Sequence, residues 1–204
     1  MALPSKTSEY HYILFLKPHG VLSQFTVEGK WKSIKEFGPF PETVYPVGRL
    51  DAESEGLLLL TDDNRVKSFL TDPKHHFPKT YVVQVEGIPG EEALQRLRDG
   101  VLIEGKRTAP ADIQRLSEEP RLPLRSVPIR FRKSIPTSWI EMTLREGRNR
   151  QIRKMTAAVG YPSLRIFRSR IGPLTTAGLE PGQHRELSKS EVDRLLAFPL
   201  TDHR

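Results

Sequence analysis

Apolar residues fall along the chain in short runs that read mainly as strands. Residues 12–16 are an apolar run stopped by Lys17, Pro18, His19 and Gly20, the pattern of a short buried strand. A loop-rich stretch is predicted from there to Pro46. Four consecutive leucines at 57–60 sit between Gly56 and the polar Thr61-Asp62-Asp63, a second buried strand. Residues 64–70 predict a short helix with Asp62 or Asp63 as N-cap. β-Branched and aromatic residues mark a strand over 81–85. A helix over 91–98 is closed by Gly100, and strands are predicted over 101–103 and 111–116. Residues 139–144 alternate apolar and polar, so that strand buries one face. Ile152, Met155 and Val159 share one face of a helix predicted over 149–159, leaving Arg150, Arg153 and Lys154 on other azimuths. Gly160 and Pro162 stop it, and a strand over 164–171 follows. The last helix, 188–197, opens with a capping box of Ser188 and Glu191.

Strands outnumber helices, and hairpin-length links join them. This favours an α+β fold, a central mixed and mostly antiparallel sheet flanked by helices and loops, over a doubly wound parallel sheet. No linker divides the chain, so its 204 residues are expected to form a single domain with two sub-lobes and a flexible N-terminus over roughly 1–9. The apolar run near the N-terminus is too short for a signal peptide or a membrane span, which makes the cytoplasm the expected location.

Composition adds a partner. The chain carries 32 Lys and Arg against 25 Asp and Glu, a formal charge of +7. Between 145 and 170 stand eight cations, seven of them Arg, and one acid, Glu146, a surplus equal to that of the whole chain. A basic segment on an otherwise neutral protein points to a polyanion, and arginine suits bidentate phosphate contact. Residues 117–137 hold four prolines and five cations with no acid after Glu119, and read as an exposed basic loop. The chain has no cysteine, which excludes disulfides, thiol nucleophiles, iron–sulfur clusters and Cys-containing zinc sites.

Three constellations could carry chemistry. Residues 48–56 place Asp51, Glu53 and Glu55 between two glycines, just ahead of a buried strand. This is either a polar turn or a rigidly supported catalytic carboxylate. Residues 146–154 put Gly147 and flanking arginines at a helix N-terminus, a phosphate cradle without the glycine spacing of a nucleotide-binding loop. Lys79-Thr80-Tyr81 opens a strand, where the tyrosine either packs or offers its ring to a nucleobase. His75 and His76 make a weak ligand pair, and Asp62 and Asp63 suit a helix cap better than a metal. No metal site and no cofactor are expected.

The run Val47-Gly48-Arg49-Leu50-Asp51-Ala52-Glu53-Ser54-Glu55-Gly56-Leu57-Leu58-Leu59-Leu60-Thr61-Asp62-Asp63 resembles the catalytic motif of bacterial RNA pseudouridine synthases of the small-subunit synthase A type. Glu146-Gly147-Arg148-Asn149-Arg150-Gln151-Ile152-Arg153-Lys154-Met155, Lys17-Pro18-His19-Gly20-Val21, Lys79-Thr80-Tyr81 and 181–187 are similar to further motifs of that family, in the same order. The resemblance starts within a dozen residues of Met1, so the small S4-type RNA-binding module usual in the family is expected to be absent. Residues 22–26 and 128–139 resemble the large-subunit synthase E subgroup, which lacks that module and acts on 23S ribosomal RNA.

The resemblance implies that Asp51 attacks the target nucleotide or takes a sugar proton, so that uracil detaches, turns and rejoins through carbon without a cofactor. It implies that Tyr81 stacks on the flipped uracil, that Arg153 pairs with Asp51, that Arg49 fills the gap left by the base, and that Leu164 or Ile166 lines the pocket. Arg148, Arg150, Lys154, Arg165, Arg168, Arg130 and Arg132 are the candidate RNA contacts, the loop 121–133 standing in for part of the absent module. The expected partner is 23S rRNA, free or in an assembling subunit, with no membrane, no obligate protein partner and a monomeric chain. Two other readings stand beside this one: a non-catalytic RNA-binding or ribosome-assembly protein on the same scaffold, and a metal nuclease using Asp62 and Asp63.

Overall fold

The structure, a computed structural model, describes residues 10–129 and 134–199. In chain order the strands are β1 (Tyr12–Lys17), β2 (Val21–Leu22), β3 (Lys32–Ser33), β4 (Tyr45–Val47), β5 (Glu55–Thr61), β6 (Lys79–Glu86) and β7 (Leu102–Ile103). They continue with β8 (Lys106–Arg107), β9 (Asp112–Arg115), β10 (Thr137–Leu144), β11 (Ser163–Ile171), β12 (Leu174–Thr175) and β13 (His184–Glu186). The helices are α1 (Asn64–Thr71), α2 (Glu91–Asp99), α3 (Gln151–Ala158) and α4 (Lys189–Leu196).

Nine strands make one sheet in the order β13-β1-β5-β11-β6-β10-β9, with β4 added to β5 and β12 to β11. Every pairing in it is antiparallel except the short parallel seam of β5 with β11, where Glu55 faces Phe167 and Gly56 faces Arg168. The α+β expectation of a mixed, mostly antiparallel sheet therefore holds.

The four leucines of β5 are apolar without interruption because the strand is covered on both faces. Leu57 and Leu59 pack with Leu14 and Leu16 of β1 under α1 and α4. Leu58 and Leu60 turn the other way, to Ile13, Phe15, Ile34 and Val44. A separate core joins β6, β9 and β10 to α2 and to Ile152 and Met155 of α3.

The seam places the site. One edge of β5 is taken by β1 over 56–61, so β4 and β11 share the other. β4 pairs at 59–61 and then leaves, and β11 takes over at Glu55 and Gly56. Residues 48–54 loop out at this exchange of partners, with Asp51 among them. A Cβ on Gly56 would lie 2.3 Å from the Arg168 carbonyl oxygen, and its φ is +108°, so the seam closes only around glycine.

Some boundaries differ from the sequence reading. The stretch before Pro46 holds β2, β3, β4 and a 3-10 turn at Ile34–Phe37, elements too short to leave a periodic pattern. Helix α3 begins at Gln151, not at 149, because Arg150 takes a left-handed turn with φ +51°. The basic loop is only partly exposed. Leu122 packs on the β1–β5 core, and the Arg125 side chain is 13% exposed, its Nε 3.9 Å from the buried Glu55.

Candidate active site

The loop bearing Asp51 is pinned along its length. The Ser23 hydroxyl accepts from the Leu50 amide at 3.0 Å and donates to the Leu50 carbonyl at 2.9 Å. The Ser54 amide donates to the Asp51 carbonyl, and the Gly20 amide to that of Ala52. The buried Lys17 ammonium donates to the carbonyls of Val21, Pro18 and Ala52 at 2.6, 3.0 and 3.3 Å. Burial lowers the Lys17 pKa to about 7. The sequence marks Lys17 only as the end of an apolar run and the first residue of a family motif; its tie between the β1 turn and this loop exists only in the fold.

Asp51 opens onto a cavity of about 630 Å³ whose lining includes Tyr81, Leu144, Ile152, Ile166 and Arg168, with Arg49, Arg145, Arg148, Arg150 and Arg153 around it. That volume suits a small organic ligand or a flipped nucleotide. Tyr81 sits directly opposite Arg168 of β11 and Met142 of β10, partly buried against the β6 core. Ile166 lines the cavity, whereas Leu164 is not among its lining residues.

Two arginines converge on Asp51. Arg150 Nη1 lies 3.9 Å and Arg153 Nε 4.0 Å from its Oδ2. Both are nearer to Glu53, Arg150 at 3.4 Å and Arg153 at 3.6 Å. Glu53, unassigned from sequence, thus shares the two cations with Asp51 and holds them just short of it. Arg153 Nε is buried with no hydrogen-bond partner, a donor held ready beside the carboxylate. Burial lowers the Arg153 pKa, against the pull of Glu53 and with the push of Arg150. The left-handed backbone of Arg150 is the kind of strained position that collects at functional sites.

Several cations expected to meet RNA are engaged internally. Arg165 forms a bidentate pair with Glu55 at 2.8 and 2.9 Å and is almost fully buried. Arg168 is 1% exposed, and its Nε donates to the Leu57 carbonyl. Neither is a surface phosphate contact, because β11 carries both into the sheet beside β5. Lys154 pairs with Glu104 at 2.7 Å, and Arg148 with Glu146 at 3.0 Å. Arg49 is exposed and without an ion pair among the described residues. Arg130 and Arg132 lie outside the described residues.

Asp62 and Asp63 do structural work. Asp63 caps α1 through the Arg65 amide and accepts from the Tyr12 hydroxyl and the Arg65 guanidinium. Asp62 accepts from the His11 amide and the Thr43 hydroxyl. Both carboxylates thus serve as acceptors that hold the chain around β1, β5 and α1.

Residues 11–158 match the family model described as RNA pseudouridylate synthase. The chain is 51% identical over 175 residues to the ribosomal large subunit pseudouridine synthase E of Xanthomonas campestris pv. campestris, covering 85% of this chain and 93% of that one. It is 46% identical to the protein of that name from Vibrio vulnificus, over 89% of this chain and 76% of the other. It is 39% identical to the ribosomal large subunit pseudouridine synthase B of Bacillus subtilis, over 94% and 73%. A crystal structure of a pseudouridylate synthase superposes with a TM-score of 0.76 at 28% identity, covering 95% of this chain and 77% of that chain. With an aspartate, a tyrosine and paired arginines gathered on one cavity, and with these likenesses over nearly its full length, the chain belongs to the RNA pseudouridylate synthase family.

Proposed function

We propose that this protein isomerises a uridine of large-subunit 23S ribosomal RNA to pseudouridine, with Asp51 as the catalytic carboxylate. One observation carries the reading: Asp51, Tyr81 and Arg153, which lie far apart in the chain, line a single cavity. A base inside structured RNA must leave its stack before its glycosidic bond can be reached. Tyr81 then offers a ring for the base to stack on, worth roughly 1–3 kcal/mol. Arg153 and Arg150 orient Asp51 at C1′ of the ribose, and Glu53 keeps them from closing on it. Arg49 at the rim fills the place of the extruded base. Ile166 supplies an apolar wall on which the detached ring turns.

The names of the relatives support a large-subunit RNA substrate, and the basic rim is suited to its backbone. Groups of the site come from both the β1–β5 and the β6–β11 parts of one sheet, which supports a single catalytic domain; a monomer acting in the cytoplasm belongs to the same proposal. The test is a pseudouridine map of 23S rRNA from cells with and without the gene. One uridine should lose its modification and regain it with the wild-type chain but not with Asp51→Asn. An unchanged map would reject the reading.

A further inference from the structure

The cavity floor holds more buried positive charge than its carboxylates balance. Arg168 is 1% exposed and forms no ion pair among the described residues. Its Nε is satisfied by the Leu57 carbonyl, but its Nη2 is buried with no hydrogen-bond partner. Among the described residues, Lys79, on the neighbouring strand β6, donates only to the carbonyls of Leu70 and Phe77. Burial, and then the charge of Arg168, lowers its pKa to about 8, which leaves it mostly protonated at neutral pH. Both residues line the cavity, and Arg168 stands opposite Tyr81 in the sheet. Burying a cation without an anion is costly, and structures keep such groups where a ligand or a reaction supplies the missing charge.

The proposed reaction supplies it. When the C1′–N1 bond breaks, its electron pair stays on N1, and the ring becomes a monoanion with charge spread over N1, O2 and O4. Asp51 accounts for the sugar, by bonding to C1′ or by taking a proton from C2′; either way the negative charge passes from the carboxylate to the ring. When C5 bonds to C1′, Asp51 is released or its proton returned, C5 gives up its proton, and N1 gains one, so the sum is an isomerisation. Between these steps the ring needs a counter-charge.

We propose that Arg168, seconded by Lys79, is the counter-charge for the detached uracil on Tyr81, with the free guanidinium N–H of Arg168 donating to a ring carbonyl oxygen. This rests on the function proposed above. It makes Arg168 a catalytic residue where the sequence suggested a phosphate contact.

The test compares single-turnover consumption of the N-linked nucleoside in an RNA fragment carrying uridine at the mapped target with the same fragment carrying 5-fluorouridine. Fluorine stabilises the ring anion and lessens the need for a counter-charge. Arg168→Gln should slow the uridine RNA about 100-fold, with RNA affinity within about threefold. The deficit should be at least about tenfold smaller on the fluorinated RNA, and Arg168→Lys should restore most of the rate. Lys79→Gln should show the same selectivity at smaller amplitude, and it decides the matter if Arg168→Gln does not fold. A deficit equal on both RNAs, or none, overturns the inference. A wild-type chain that converts neither RNA overturns instead the function on which it rests.

Discussion

Lys17 is where the chemistry of one residue most clearly exceeds what its sequence position announces. Its ammonium ties three carbonyls, among them Ala52, one residue beyond Asp51. The cost is a buried charge, and it gives a signed prediction. Lys17 titrates near 7 in the folded chain against 10.5 unfolded, so between those values the unfolded chain holds the extra proton. Stability therefore rises with pH across that window. Urea unfolding at pH 7 and pH 10 should show the wild type gaining up to about 4 kcal/mol relative to Lys17→Met. Parallel pH profiles for the two proteins would contradict the assignment. Asp51 stands in a long and specific motif, whereas Tyr81 stands in a run of three residues and is singled out only through the same family resemblance; both line the cavity. Glu53 was seen only as one of three acids in a turn, since its hold on Arg150 and Arg153 exists only after the chain has folded across about 100 residues.

At the scale of elements, the strands with strong patterns were the ones read well. The leucines of β5, the β-branched run of β6 and the capping box of α4 each carry their own local signal, and all three elements form. The β5–β11 seam has no such signal, because it joins residues more than 100 positions apart through only two facing pairs. Yet it sets the site, by releasing β4 and its following loop from the edge of β5. Gly56 is the residue on which the seam turns. Gly56→Ala places a methyl group against the Arg168 backbone at a positive φ. It should destabilise the protein by about 3 kcal/mol or more, read by thermal or denaturant unfolding. A loss below about 1 kcal/mol would show that the seam can open without consequence. The left-handed turn at Arg150 was missed for a related reason: arginine carries no preference for it, and only its contacts to Glu53 and Asp51 give it a purpose.

Over the whole molecule, the basic surplus between 145 and 170 gathers largely around the cavity, yet much of it is paired with acids. Arg165 is matched by Glu55, Arg145 by Asp112 at 2.8 Å, Lys154 by Glu104, and Arg150 and Arg153 by Glu53. These acids come from other parts of the chain, so composition could count the charges but not pair them. The attraction for RNA should therefore be uneven. Arg49→Ala, which removes an exposed cation with no ion pair among the described residues, should reduce the slope of log binding constant against log salt by about 0.7–0.9. Lys154→Ala, which frees Glu104 as it removes a cation, should change the slope by less than half of that. Equal changes would show that the internal pairing does not govern RNA binding.

The central claim is that Asp51 performs the chemistry in a cavity that other residues shape and charge. Asp51→Asn keeps the size of the side chain and removes the carboxylate, and its most direct measurement is single-turnover pseudouridine formation beside RNA binding by the same preparation. Binding should stay within about twofold of wild type, a modest change for the loss of one rim charge, and no pseudouridine should form. Pseudouridine formed by Asp51→Asn at a rate near that of the wild type would contradict the claim.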